Sequence, residues 1–183
     1  MQEIIEYIKQ AFDLKSQKCY KQAIEMLYKA LEIESDNIEI LFQLGELYFL
    51  LNNFQRSMQY LEKVLENNPN HVEALKLIQK IYKYTNEKEN AAKIAEKIYQ
   101  IQKNQDNLIN LIDALSASCN MTKISELEAL NSENDDVIYH IAKAFYDNGK
   151  IQEAKEKLEK ILAINSKNEN ALVLLGKIYF EEN

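Results

Sequence analysis

A pattern of apolar and small residues returns every 34 positions over the first part of the chain. That return constrains the fold more than any other feature. Leu41, Leu44, Gly45 and Tyr48, followed by Leu61, Val64 and Pro69, are echoed at Leu75, Ile78, Gln79 and Tyr82, then at Ala95, Ile98 and Lys103. The same interval towards the N-terminus gives Tyr7, Gln10, Ala11 and Leu14, then Leu27, Ala30 and Ser35. Later, Ile138, Ile141, Ala142 and Phe145 lead to Leu158, Ile161 and Ser166, and Leu172, Leu175, Gly176 and Tyr179 open the pattern again. A unit this short cannot bury its apolar face alone, so neighbouring units must cover it.

Each unit holds two apolar stripes at helical spacing, separated by polar breaks at residues 15–20, 52–54, 85–90 and 148–151. Two helices joined this way form an antiparallel hairpin. With only 3 Gly and 1 Pro, the chain has little material for β-turns, so an all-α architecture of helices with brief connections is expected. Small residues fall where paired helices would cross: Ala11 with Ala23, Gly45 with Ser57, Ala142 with Ala154. Such positions let backbones approach closely.

The run Leu41-x-x-Leu44-Gly45-x-x-Tyr48, the later Leu61 and Val64, and the closing Pro69 resemble the tetratricopeptide repeat. The likeness recurs at Leu172, Leu175, Gly176 and Tyr179, and more weakly at Ile138, Ile141, Ala142 and Phe145 with Gly149, Ala154, Leu158 and Ile161. The resemblance implies a right-handed superhelical solenoid of antiparallel helix pairs whose inner groove binds peptides. Units are expected at about 4–37, 38–71, 72–105 and 135–168, with a degenerate unit at 106–134 and the first helix of a further unit at 169–183. In the degenerate unit the second helix, about Thr122 to Leu130, is a turn short, with Thr122 or Ser125 as its cap. Asp113 is expected in the close-packing column of Gly45 and Ala142. A longer loop with one helix is the alternative for this region.

The family's packing puts one column of each first helix against the preceding repeat. This implies Ile40 and Leu47, Ala74 and Ile81, Leu108 and Leu115, Val137 and Ala144, Ala171 and Ile178 for that column. Glu6 and Asp13 occupy it in the first unit, as suits a water-facing terminal repeat near a true start. At the other end Leu172, Gly176 and Tyr179 have no second helix to cover them. Leu172 and Tyr179 are therefore expected as a self-association edge giving a homodimer, or as a sign of missing downstream residues.

Composition narrows function. Acids outnumber bases 29 to 22, which opposes a nucleic-acid partner. Cys19 and Cys119 have no paired spacing, and neither a leader peptide nor an apolar span is evident; a cytoplasmic location and no membrane insertion are expected. His71 reads as a surface residue in a turn and His140 as a half-buried structural one, so no metal is expected. Glu153–Lys157 and Glu156–Lys160 read as solvated i,i+4 pairs. Without a nucleophile elbow, phosphate loop or zinc motif, neither catalysis nor a cofactor is expected.

Family geometry places the partner groove on the first helices, beside the core stripe. The expected groove residues are Phe12, Phe42, Glu46, Phe49, Lys76, Lys80, Lys83, Tyr139, Lys143 and Tyr146. The aromatics would be apolar anchors and Lys76, Lys80 and Lys83 a charge filter for a protein or peptide partner. The carboxylate clamp of the family's co-chaperones is absent, since the matching positions hold Ile8, Phe12, Gln43, Glu73 and Leu77. The expected function is a non-catalytic scaffold or adaptor; the alternative is the repeat arm of a larger enzyme, such as a glycosyltransferase or kinase.

Overall fold

The computed structural model describes residues 2–130 and 134–182, which form eleven α-helices and no strand. The chain divides into two compact units, residues 1–85 and 86–183. The first holds α1 (Gln2–Ser16), α2 (Tyr20–Ile33), α3 (Ile38–Leu50), α4 (Phe54–Asn67) and α5 (Val72–Tyr84). The second holds α6 (Lys88–Ile101), α7 (Gln105–Ala117), α8 (Met121–Leu130), α9 (Asp135–Asp147), α10 (Ile151–Ile164) and α11 (Glu169–Glu181). None of the described helices is long and apolar enough to cross a membrane.

In the first unit α1 packs on α2 and α3 on α4, around a core that includes Ala11, Leu27, Ile40, Leu44 and Tyr48. Gly45 is where α3 meets α4. A Cβ built on it would lie 2.9 Å from both Cγ and Cδ2 of Leu61, a fully buried side chain. The close approach also lets the buried Ser57 hydroxyl donate to the Gly45 carbonyl at 2.7 Å. In the second unit α9 packs on both α7 and α10, with Ile112, Ile124, Ile141, Ala142 and Leu158 fully buried.

The turns inside the hairpins follow one design. A residue with positive φ stands at Lys18 (61°), Asn52 (56°), Asn86 (61°), Cys119 (58°) and Gly149 (76°). At Lys18 the next N–H, that of Cys19, donates to Leu14 O at 2.8 Å, while Lys18 N–H donates to Lys15 O at 2.9 Å. Asn52, Cys119 and Gly149 show the same pair of bonds. This is the Schellman closure, which satisfies carbonyls left over at a helix C-terminus. Only one of the five positions is glycine, so scarcity of glycine has not prevented tight turns. The closing hydrogen bonds hold lysine, asparagine and cysteine in a conformation they disfavour by about 1–2 kcal/mol.

The entries to the first helices are equally regular. The side chains of Asn37, His71, Asn104, Asn134 and Asn168 each accept a backbone N–H three residues on: those of Ile40, Ala74, Asn107, Val137 and Ala171. These caps satisfy the free donors of the first turn, and Glu39, Glu73, Asp106, Asp136 and Glu169 add negative charge there.

Cap spacing corrects the expected register of α7. The step from His71 to Asn104 is one residue shorter than that from Asn37 to His71. The close-packing column therefore passes through buried Ile112, not Asp113, whose side chain is half exposed. For the same reason Asn107 and Ala114, both buried, take the place expected of Leu108 and Leu115. The Asn107 amide stays satisfied by donating to Gln102 O at 2.9 Å.

Helix α8 is described over the 10 residues Met121–Leu130, and its expected end lies next to residues outside the described ones. Asn120, rather than Thr122 or Ser125, supplies its capping oxygen, to Lys123 N–H at 3.3 Å. Ile124 is its one buried residue. Two ion pairs tie α8 down: Lys123 to Glu96 of α6 at 2.5 Å, and Glu128 to Lys157 of α10 at 2.6 Å. The second corrects the expected Glu153–Lys157 pair. The Lys157 ammonium also lies 4.6 Å from the centre of the Phe145 ring, leaving its side chain 12% exposed. Burial against a ring and a carboxylate on other helices outweighs a solvated partner one turn away.

Candidate partner-binding faces

In the first unit the expected groove residues of α1, α3 and α5 stand in different local settings. Phe12 stands largely in solvent, 61% exposed, and Ile5 on the same helix is 63% exposed. Glu46 is paired with Lys15 at 2.5 Å, which joins α3 to α1. Phe42 is half-buried, its ring 5.0 Å from that of His71. His71 is not the surface residue expected: its side chain is 17% exposed, and Nδ1 accepts the Ala74 N–H.

Phe49 belongs to a three-ring cluster that the sequence reading missed. Its centroid lies 5.8 Å from both Phe54 and Tyr84, and those two stack 5.7 Å apart. Phe49 and Tyr84 end α3 and α5, and Phe54 begins α4, so the cluster sits at one end of three helices. Tyr84 is 71% exposed. Leu50 and Leu51, beside Phe49, are also exposed. The only forewarning in the sequence is aromatic residues at the ends of consecutive apolar stripes. Lys76, Lys80 and Lys83 are exposed on α5, and Lys83 has an interaction of its own.

Another cluster has no counterpart in the sequence reading. The hydroxyl of Tyr28 on α2 lies 2.7 Å from that of Tyr48 and 3.0 Å from that of Tyr60. Arg56 donates to the Tyr48 hydroxyl at 3.0 Å, and the Tyr48 and Tyr60 rings stack 5.6 Å apart. Burial pushes the phenols of Tyr28 and Tyr48 above their ordinary value, and the hydrogen bond to Tyr48 raises Arg56. The network ties α2, α3 and α4 together, so it is cohesion rather than an open face.

In the second unit the register set by the caps adds Asp106, Ile109, Asp113 and Ser116 of α7 to the face beside α9. Tyr139 is half-buried and meets the His140 ring edge-on at 5.5 Å. His140 Nδ1 lies 3.3 Å from Asp113, linking α9 to α7. Tyr146 donates its hydroxyl to the Glu181 carboxylate, at 2.8 and 2.7 Å from its two oxygens, and Lys177 stands over its ring at 4.9 Å. That contact with Tyr146 raises the Lys177 ammonium above its ordinary value. Lys143 is exposed and borders a cleft of about 470 Å³ with Lys88, Asp113, Cys119 and Asp147. On α11, Val173 and Phe180 are 72% and 85% exposed. Leu172 and Tyr179 are about half exposed, and Lys155 stands 4.7 Å from the Tyr179 ring. Among the described residues no group of three or more His, Cys, Asp or Glu is placed to hold a metal ion.

Side-chain caps, left-handed turns and paired helices in a common register define a helical-repeat protein whose exposed first-helix residues are its distinctive chemistry. Tetratricopeptide repeat profiles match residues 14–81 and 136–167, together more than half of the chain, and the chain belongs to that family. Repeats of this family generally mediate protein–protein interactions. Among solved structures, the chain is similar to YrrB, described as a TPR protein with an unusual peptide-binding site; the TM-score is 0.66 and the identity 17%, over 94% of this chain and 92% of that one. A MamA chain from Desulfovibrio magneticus gives a TM-score of 0.68 at 17% identity, over 92% and 98% of the two chains. A putative kinesin light chain from Podospora anserina with TPR-like repeats gives 0.62 at 17%, over 91% and 96%. At such identities the likeness is one of fold. No curated protein matches the sequence significantly.

Proposed function

We propose that this protein is a non-catalytic binding module, a scaffold or adaptor, that holds a peptide or helix of a partner protein on its first-helix faces. One observation carries the reading. Phe12 and Phe180, on first helices of different repeats, are 61% and 85% exposed. Single exposed apolar residues are ordinary in soluble proteins, but large aromatics repeated on one kind of face mark contact sites. They anchor ligands with little rotamer freedom to lose.

On first helices of the same two units, half-buried Phe42, Phe49 and Tyr139 offer ring edges already held by neighbours. Such a preorganised surface loses less entropy on binding. Glu46 and Tyr146, engaged with Lys15 and Glu181, brace adjacent helices rather than reach for a ligand. Lys76, Lys80, Lys83 and Lys143 bias the faces towards acidic partners. The solved peptide-binding relative of like fold supports a peptide as the ligand class.

Selection of displayed random peptides on the 183-residue chain tests the reading. Enriched sequences should lose most binding to a Phe12→Ser, Phe49→Ala, Phe180→Ser variant of unchanged helicity. Failure to enrich any sequence, or equal binding to the variant, overturns it.

A further inference from the structure

Tyr84 of the three-ring cluster and two lysines, Lys76 and Lys80, lie along a single ridge of α5. Lys76, Lys80 and Tyr84 are spaced i, i+4 and i+8, so they follow one ridge with about 6 Å of rise between successive members. All three are exposed. Lys76 and Lys80 form no ion pair with any other described residue. Phe49 and Phe54 hold the Tyr84 ring at one end of the ridge. At the other end stands the carboxylate of Glu73, whose side chain is 65% exposed.

An extended peptide advances about 3.3 Å per residue and places alternate side chains on one face. Two residues of such a peptide therefore span about the same distance as four residues of the helix. A ligand laid along the ridge presents residues 0, 2 and 4 together, opposite Tyr84, Lys80 and Lys76. From this match we propose that α5 reads an extended acidic peptide: one aromatic or large apolar residue on the Phe49–Phe54–Tyr84 rings, with carboxylates two and four residues away on Lys80 and Lys76. The inference rests on the peptide-binding reading above and supplies its ligand chemistry and register. Lys83 is not required. Glu73 closes the site, because a third carboxylate at residue 6 meets like charge there.

Peptides labelled at one end test this by fluorescence anisotropy at low salt. The in-register probes are Phe-Ser-Glu-Ser-Glu and its reverse, Glu-Ser-Glu-Ser-Phe, one for each strand direction. The shifted probe, Phe-Glu-Ser-Glu-Ser, has the same composition but turns both carboxylates to the opposite face. One in-register probe should bind roughly fivefold or more tightly than the shifted one, and a third Glu at residue 6 should add nothing. Lys76→Glu with Lys80→Glu should abolish that preference, as exposed charge pairs of this kind set specificity and weaken with salt. Tyr84→Ser, at a position 71% exposed, should weaken every probe without loss of helicity.

Equal binding of in-register and shifted probes overturns the register. So does preference surviving the lysine reversals, or tighter binding of a single-stranded oligothymidine than of any peptide. If no probe binds while display-selected peptides still do, this inference fails and the broader binding function stands.

Discussion

Gly45 and Gly176 occupy the same place in the same repeated pattern, yet the structure assigns opposite signs to the same substitution. Alanine in the middle of a helix is favoured over glycine by roughly 0.5–1 kcal/mol. At Gly176 a new Cβ meets nothing within 4 Å, so Gly176→Ala should stabilise its unit by about that amount. At Gly45 the Cβ falls 2.9 Å from Leu61 Cγ and Cδ2, well inside the ~3.5–4.0 Å of an ordinary carbon contact. Leu61 is fully buried and cannot turn outward. Overpacking of this kind costs about 1–3 kcal/mol, which exceeds the helix gain, so Gly45→Ala should lose on the order of 1 kcal/mol. It also pushes α4 away from the Ser57–Gly45 hydrogen bond. Because the chain has two compact units, hydrogen exchange read separately in each is the suitable assay, with urea unfolding followed by circular dichroism as a check. Protection should fall severalfold around α3 and α4 for Gly45→Ala and rise around α11 for Gly176→Ala. In a Leu61→Ala background the Gly45→Ala change should become neutral or stabilising, since the clash has lost its partner. Same-sign effects at the two glycines, or an unchanged loss without the Leu61 side chain, would refute the close-approach argument.

Lys157→Met should leave Glu128 without its partner and cost about 1–3 kcal/mol, seen as faster exchange confined to α8 and its neighbours; 1 M salt should loosen α8 in the same direction. Lys18→Gly and Cys119→Gly relieve positive φ angles and should each stabilise by about 0.5–1 kcal/mol in thermal melts, whereas Gly149→Ala should destabilise. The phenols of Tyr28 and Tyr48, raised by burial, keep their protons in the folded state at pH values where the unfolded chain has lost them. Their contribution is therefore complete below about pH 10 and is lost as pH climbs through the folded values, and Tyr48→Phe should flatten that alkaline decline in a pH-series of urea midpoints.

The register of α7 departs from the one its apolar spacing suggests. Its apolar residues Leu108, Leu111, Ile112 and Leu115 make a stripe wide enough that a one-residue shift still leaves an apolar side chain in the core. Periodicity alone therefore could not choose between Ile112 and Asp113. The capping asparagines could have, since Asn37, Asn104, Asn134 and Asn168 mark the register residue by residue. His71 breaks the asparagine series, and a histidine in a turn does not announce itself as a cap.

What the sequence determined by itself is everything that depends on neighbours along one helix. The two stripes per unit, the all-helical class, the family and the small residue at Gly45 all follow from spacing, because a helix places residues three and four apart on one face whatever surrounds it. Which of those faces stays open was decided only by tertiary packing. Lys157 had the Glu153 carboxylate one turn away, yet its charge went to Glu128 and the Phe145 ring. Phe12 and Phe49 lie on the same kind of stripe, but one meets water and the other lies among Phe54 and Tyr84. Partners on other helices stand anywhere from 5 residues away, as Phe49 and Phe54, to 35, as Phe49 and Tyr84. Their choice turns on burial and on contact geometry that no spacing within a single helix records.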